Sequence, residues 1–486
     1  MSRLDDLFPV PSLPPSRLSP HPWPGITPSS TAALQAVLKD NHERWHVYFD
    51  PRGFHNHTAH FALALWGLGA DEDIINAAYK LDCQMCQGAP AFESPGIITA
   101  QNFKDHLGDD KYYSAYVKYF TDVVRTKNDL GAVMEEYVFH EKMNFDNTQG
   151  SGNRQPNMLN RFLDGLLHPM IHVGYSAEFG VPGLLAEGLA MAAIHRADFS
   201  ALVPSSFFQV FEPSMSALSL SDGGSTKNTH ALTILARVQR DPQFDNKGKI
   251  DNNEAHEEAI RKYASEWSYN SSDPKEVDRK IEELIWMNTV IYGIGGWSKD
   301  KHYHADFEHM HLVTSSLFLA SLAVHLKPSS QELLLRGYLI VSLLWYLRGT
   351  GRLELDIPGF FSADTAYPNP SGPLPTPNEK AMPGQSSFKA ITPNPWLPVI
   401  QTALVHPDDH VPKLQRALAH YGTLYGTKTA GHPEFTETEL IGADKLDGTL
   451  FIRVAGLTGK RLGRIREGET PLTFWDRRMG PPPPPQ

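Results

Sequence analysis

The chain has 486 residues, of which 55 are acidic and 44 basic, for a net charge of −11 with histidine neutral; 41% of residues are hydrophobic and 20% charged. This composition gives a globular chain a sizeable core and excludes a disordered one. Its negative field repels phosphate backbones and anionic lipid, so nucleic acid and membrane surfaces are excluded as expected partners.

Residues 1–30, "MSRLDDLFPVPSLPPSRLSPHPWPGITPSS", place acidic residues and prolines where a secretory signal needs a basic end and an apolar run. They predict a cytoplasmic protein with a proline-rich arm, extended over the surface rather than packed. From about residue 31, apolar residues recur at three- and four-residue spacing in "TAALQAVLKDNHERW", "TAHFALALWGLGA", "DEDIINAAYKL" and "YYSAYVKYFTDVVRT", the pattern of amphipathic helices. "CQMC" (Cys83, Cys86) follows the third of these and lacks both a strand-to-helix setting and the four ligands of a structural zinc site, so it is expected to be an incidental pair of reduced thiols. The helical pattern continues in "GLLAEGLAMAAIHRA", "HALTILARVQR", "PKEVDRKIEELIWMNTVIYG", "HLVTSSLFLASLAVHL" and "SQELLLRGYLIVSLLWYLR". The apolar run Tyr338–Leu347 covers half of the ~20 residues a bilayer needs and predicts a buried helix. Prolines every few residues across 355–398 predict a long loop without a regular helix, a lid or an insertion. Helical pattern resumes with "PKLQRALAHYGTLYG" and "DGTLFIRVAGL", and the chain ends in a proline tail, 481–486. The expected fold is all-α: a single large multi-helix domain over 31–480 with long proline-rich loops.

Histidines collect at predicted helix starts. "LLHPMIHVGYSAEF" (166–179) and "HPDDH" (406–410) each hold His-Pro-x-x-His, "HNHTAH" holds His55, His57 and His60, and "HMH" holds His309 and His311. Proline disfavours a helical residue before it yet suits the first helical turn, so His168 and His406 are expected to cap helices, with His172 one turn in and Lys413 just inside a helix restarted by Pro412. A lone histidine beside an apolar helix is more often a hydrogen-bonded core residue. Four clusters at helix starts, however, can converge on zinc, copper or iron. His57, His168, His172 and His311 are the expected ligands, with His60 an alternative to His57. Glu178 is a candidate acceptor fixing ring tautomers, Asp164 another, and Tyr175 a candidate to stack on a planar substrate. His195, His230, His304 and His420 read as packing or surface residues. H-E-x-x-H, G-x-S-x-G, a Walker loop and a strand-bound G-x-G-x-x-G are all absent, which weakens hydrolase, nucleotide and Rossmann readings.

"FHNHTAHFALALWGLGA", "LLHPMIHVGYSAEFGVPGLLAEGLAMAAIH", "MHLVTSSLFL" and "VHPDDHVPKLQRALAHY", in that order, resemble the fungal questin oxidase-like (AflY-type) family. The resemblance implies oxidation of anthraquinone-like aromatic polyketides with dioxygen, by Baeyer-Villiger-type or ring-opening chemistry. It also implies a non-haem Fe(II) held by several histidines and a lysine carbamate, for which Lys413 is the matching lysine and His410 a substitute ligand or base. NADPH dependence is attached to the family as well, although this chain shows no dinucleotide fingerprint. Oligomeric state is not legible.

Overall fold

The computed structural model describes residues 4–49, 53–86, 88, 93–145, 155–197, 203–209, 229–244, 254–299, 301–348, 353–363, 374–472 and 474–477. Every segment with three-to-four spacing is helical: α1 (Pro28–Arg44), α2 (Thr58–Gly67), α3 (Glu72–Asp82), α4 (Tyr113–Lys127), α5 (His168–Phe179), α6 (Pro182–Ile194), α7 (Ala231–Arg240), α8 (Glu276–Thr289), α9 (Phe307–Ser316), α10 (Pro328–Leu347), α11 (His410–Tyr425) and α12 (Thr449–Leu462), joined by a further helix, Glu254–Glu266, by shorter helices and by loops. Among the described residues no strand ladder forms, only the isolated bridges Tyr48–His55 and Asp306–Asp476. The fold is all-α, and among the described residues no helix is long and apolar enough to cross a membrane.

Two expectations change in detail. The helix predicted over 311–326 breaks at Leu317–Phe318 and resumes as Leu319–Ala323. The hydroxyls of Ser315 and Ser316 bond back to the carbonyls of His311 and Val313, the local competition by which serine weakens a helix. The 355–398 segment does hold short helices, Ile357–Ser362 and Phe388–Ile391. Pro358 sits in a first turn, where its missing N–H is not needed, and Asp356 caps that turn. Residues 364–373 of this segment and the tail 481–486 lie outside the described residues.

α2 and α5 are buried along their whole length and α6 is buried beyond Pro182. Helices apolar on all sides have no solvent face, so they occupy the centre. α5 packs on α6, α6 on α4, α2 on α11, and α11 also on α9 and α12. The N-terminal arm is more than a surface strap. It sinks Leu7 and Phe8 into the core, and its backbone bonds to the ends of the central helices through Gly183 N to Leu7 O (2.8 Å), Ser12 N to Phe179 O (2.8 Å) and Trp23 N to Gly67 O (2.9 Å).

The α5–α6 contact depends on Gly188. A Cβ there would stand 2.6 Å from Val173 Cγ2 and 3.0 Å from the Val173 backbone nitrogen, so a methyl can be accommodated only by moving α5. Gly188→Ala is expected to destabilise the protein by about 1–3 kcal/mol through overpacking, despite the better helix propensity of alanine. Thermal denaturation checks this; an unchanged midpoint would show that the two helices separate freely.

Candidate metal centre

Helix starts place the histidines. His57 is the residue before α2, His168 opens α5, His311 lies in the second turn of α9, and His410 opens α11 with Lys413 one turn in. The His-Pro signal marked these starts but misplaced the caps. α5 begins at His168 itself, because Gly165, Leu166 and Leu167 all adopt left-handed backbone (φ 56°, 56° and 66°) and turn the chain into the helix. Two leucines in that region cost about 1–2 kcal/mol each, and the turn delivers the Gly165 carbonyl to His168 Nδ1 at 2.6 Å. α11 begins at His410 with Pro412 inside its first turn, while His406 lies in the preceding turn and accepts from the Asp408 amide at 3.0 Å.

His57, His168, His311 and His410 form a closed ring of imidazoles. Centroid distances are 5.0 Å for 57–168, 5.0 Å for 168–311, 5.1 Å for 311–410 and 4.7 Å for 57–410. Each Nδ1 faces an oxygen: the Gly165 carbonyl for His168, the Phe307 carbonyl at 2.8 Å for His311, Asp409 Oδ2 at 3.0 Å for His57, and Asp409 Oδ1 at 3.1 Å for His410. An imidazole that donates through Nδ1 carries its lone pair on Nε2. In their neutral form all four therefore direct Nε2 lone pairs inward. His57 and His168 bring theirs to 2.8 Å, and Nε2 of His311 and of His410 are buried with no hydrogen-bond partner. Opposed lone pairs and orphaned acceptors in a buried site are unfavourable unless a cation lies between them. Burial holds His168 and His311 well below the usual histidine range and His57 at about 4, Lys413 being the next contributor for His57. His410 goes the other way: burial is outweighed by Asp409, and its pKa is raised.

Asp409 is the hub of this arrangement. One oxygen serves His410, and the other serves both His57 and Lys413 Nζ, which lies 2.5 Å away. His57, Asp409 and His410 present ligand atoms all within 4.8 Å of one another. Asp409 was not singled out from the sequence, where it only suits the positive end of a helix. The spacing Asp409–Lys413, i to i+4 on one helical face, was the available signal.

His172, an expected ligand, stands one layer back with both nitrogens engaged: Nδ1 with His60 Nε2 at 2.8 Å and Nε2 with Glu187 Oε2 at 2.7 Å. Glu187 also takes His42 Nδ1 at 2.5 Å, and these two histidines outweigh burial to hold Glu187 at about 2. Glu187 is thus the buried carboxylate that fixes ring tautomers, the role the sequence suggested for Glu178. The oxygens of Glu178 go to Arg416. Asp164 accepts from the Gly165 amide at 2.7 Å. His195 pairs Nε2 to Nε2 with His55 at 2.8 Å, and His55 stacks on His168 at 3.9 Å, so both belong to the surrounding shell. Tyr175 stacks on His60 at 5.0 Å and packs against Phe318.

The sequence profile of the questin oxidase-like family matches residues 54–418, which span all of these helix starts. The chain belongs to that family. This questin oxidase-like protein is 26% identical to oxidoreductase AflY of Aspergillus parasiticus over 79% of its own length and 71% of that protein's, and 24% identical to questin oxidase of Aspergillus terreus over 79% of each chain. It is also 27% identical to Baeyer-Villiger oxidase ptaJ of Pestalotiopsis fici, over 60% of its length and 62% of that relative's. It is an oxidoreductase.

The centre of this questin oxidase-like fold is narrow. His60, His168, His311, His410 and Lys413, together with Tyr175 and Phe318, line a cavity with room for about one water molecule. A diatomic gas fits there, and a polycyclic ring does not. The ring of histidines reaches solvent on the side of His57 and Asp409, whose side chains are 11% and 17% exposed. Phe307 lies edge-on to His410 at 5.1 Å, and the Arg477 guanidinium sits 4.8 Å over Phe307 and 5.8 Å from Phe54. Cys83 and Cys86 are free thiols, and burial pushes the Cys86 thiol up to about 12, so neither supplies a thiolate at neutral pH.

Proposed function

We propose that the protein carries out oxygen-dependent ring opening of an anthraquinone-like aromatic polyketide in fungal secondary metabolism, at a non-haem Fe(II) held by Nε2 of His57, His168, His311 and His410. The observation that carries this reading is the set of four buried imidazoles whose Nδ1 atoms are all pinned to oxygens and whose lone pairs face one another. Neutral imidazole suits Fe(II), and outer carboxylate or carbonyl partners of this kind fix the rings of metal sites. His172 is left out of the set because both its nitrogens are engaged. Bound iron supplies the one-electron chemistry that lets dioxygen react with an aromatic ring.

The chain's own residues do the rest. Asp409 holds two of the rings and neutralises Lys413. In this reading Lys413 would give up that ion pair on becoming a carbamate, its neutral amine adding carbon dioxide with loss of a proton, and the two anions so brought together would be favourable beside a bound cation. Tyr175 and Phe318 keep bulk water from the inner cavity. The planar substrate lies at the outer rim beside Phe54 and Phe307, where Arg477 offers a positive charge to a phenolate oxygen.

The relatives' names leave two balances open. Cleavage of a carbon-carbon bond with both oxygen atoms retained in product needs no external electrons. Baeyer-Villiger insertion of one atom beside a carbonyl releases the other as water and consumes two electrons and two protons, from NADPH or from a reduced hydroquinone substrate. Purified protein is expected to contain stoichiometric iron by elemental analysis, to lose turnover of anthraquinone-type substrates on chelation, and to keep it without NADPH. Labelled dioxygen then counts the atoms retained. Iron-free protein that tolerates chelation and stops when NADPH is omitted would replace this reading with a metal-free monooxygenase, His168 and His172 acting as acid-base groups.

A further inference from the structure

The family profile ends at residue 418, yet residues 474–477 form part of the wall of the centre. Asp476 anchors them. Its backbone pairs with the segment before α9, Asp476 N to Ala305 O at 3.1 Å and Phe307 N to Asp476 O at 2.9 Å, and its carboxylate takes bonds of 2.9 and 2.6 Å from Arg461 on α12. The neighbouring Trp475 is buried, with its ring 6.2 Å from His410 at 72°. Its indole N–H donates to Asp408 Oδ2 at 3.0 Å. The other oxygen of Asp408 accepts from the His410 backbone amide at 2.9 Å and lies 3.4 Å from His410 Nδ1.

This chain of contacts has a purpose that packing alone does not explain. Asp409 is divided among His57, His410 and Lys413, whereas Asp408 faces no other ring of the inner four. A phenylalanine would fill the site of Trp475 nearly as well, but it would lose the indole N–H that ties down Asp408 Oδ2 while Oδ1 accepts from the His410 amide, the pair of bonds that sets the carboxylate rotamer. That rotamer fixes the first amide of α11 and the orientation of its first side chain.

We propose that Trp475 is a positioning residue of the metal centre: its N–H fixes Asp408, and Asp408 with Asp409 holds the His410 ring so that Nε2 enters the cavity. The proposal rests on the iron reading above and extends the centre to a part of the chain that the family profile does not reach.

Trp475→Phe and Asp408→Asn in the full-length protein test it. Both are expected to fill with iron at saturating Fe(II), to bind it about 10- to 100-fold more weakly, and to change the electron paramagnetic resonance spectrum of the nitric oxide adduct in the same way. Turnover should fall in kcat with KM kept, because the rim is untouched. The double variant should lose no more than either single one, since both cut the same link. Wild-type affinity and spectrum in either variant, or losses that add, would overturn the proposal; should Trp475→Phe fail to fold, Asp408→Asn carries the test alone. Wild-type protein that binds no iron is a separate outcome, overturning the reading of the function and this proposal with it.

Discussion

His168→Ala is expected to leave the protein folded, to empty it of iron, and to lower turnover by more than about 100-fold, beyond what loss of an outer partner costs. His168 is the member of the ring with the firmest fixed geometry: a left-handed turn and a 2.6 Å bond to Gly165 hold its Nδ1, and its Nε2 lies 2.8 Å from that of His57. Removing it leaves His57 without a ligand neighbour at that distance. A ligand that binds only the native state stabilises it by about 2.7 kcal/mol at 100 times its dissociation constant. Added Fe(II) should therefore raise the melting temperature of the wild type and leave that of His168→Ala unchanged. Lys413→Ala should also bind less iron. His172→Ala separates the ligand set expected from spacing from the set the structure assembles: it reaches the centre only through His60, so it should retain iron with a loss of about 10- to 100-fold in affinity or turnover. Full iron occupancy in both His168→Ala and Lys413→Ala would remove the site.

That the ring contains His410 and excludes His172 shows where sequence reasoning stopped. Most of the long helices were legible, because a three-to-four pattern over ten or more residues admits few other structures; Glu254–Glu266 was not among those read from the sequence. The gathering of histidines at helix starts was legible too, since His-Pro constrains the backbone on both sides. What spacing could not settle was facing. His168 and His172 lie one turn apart on one helix, yet Glu187, on the next helix, draws His172 away from the centre. Likewise Asp408 and Asp409 carry the same charge at adjacent positions, and it is the arrival of His57 from the start of α2, joining Lys413 one turn on, that makes Asp409 the hub. Trp475 is beyond any local pattern: its role depends on a bridge between residues 306 and 476.

Arg416→Met carries the largest expected effect on stability, a loss of about 3–5 kcal/mol, a substantial share of the 5–15 kcal/mol that typically holds a domain together. Arg416 and Glu178 are both buried, 2% and 1% exposed, and they join α11 to α5 across the end of α2, where the absence of a side chain at Gly67 makes room: a Cβ there would stand 2.9 Å from Arg416 Nε. Methionine keeps the volume and strands the carboxylate. Burial already outweighs Arg416 and raises the Glu178 pKa, so without the guanidinium the folded state has still more reason to hold Glu178 protonated. A group whose folded pKa is raised contributes stability below its unfolded pKa and loses it as pH rises through the folded value. The deficit of Arg416→Met should then be small near pH ~4 and grow toward neutrality, and Arg416→Met/Glu178→Leu should recover most of it. Melting temperatures measured across that range decide the matter, and a flat difference would show that packing rather than charge is lost. The same pair separates two roles for Glu178. As a clasp, Glu178→Gln lowers the melting temperature while turnover survives at temperatures where the protein is folded; as an acid-base group, it would lose turnover and keep its melting temperature.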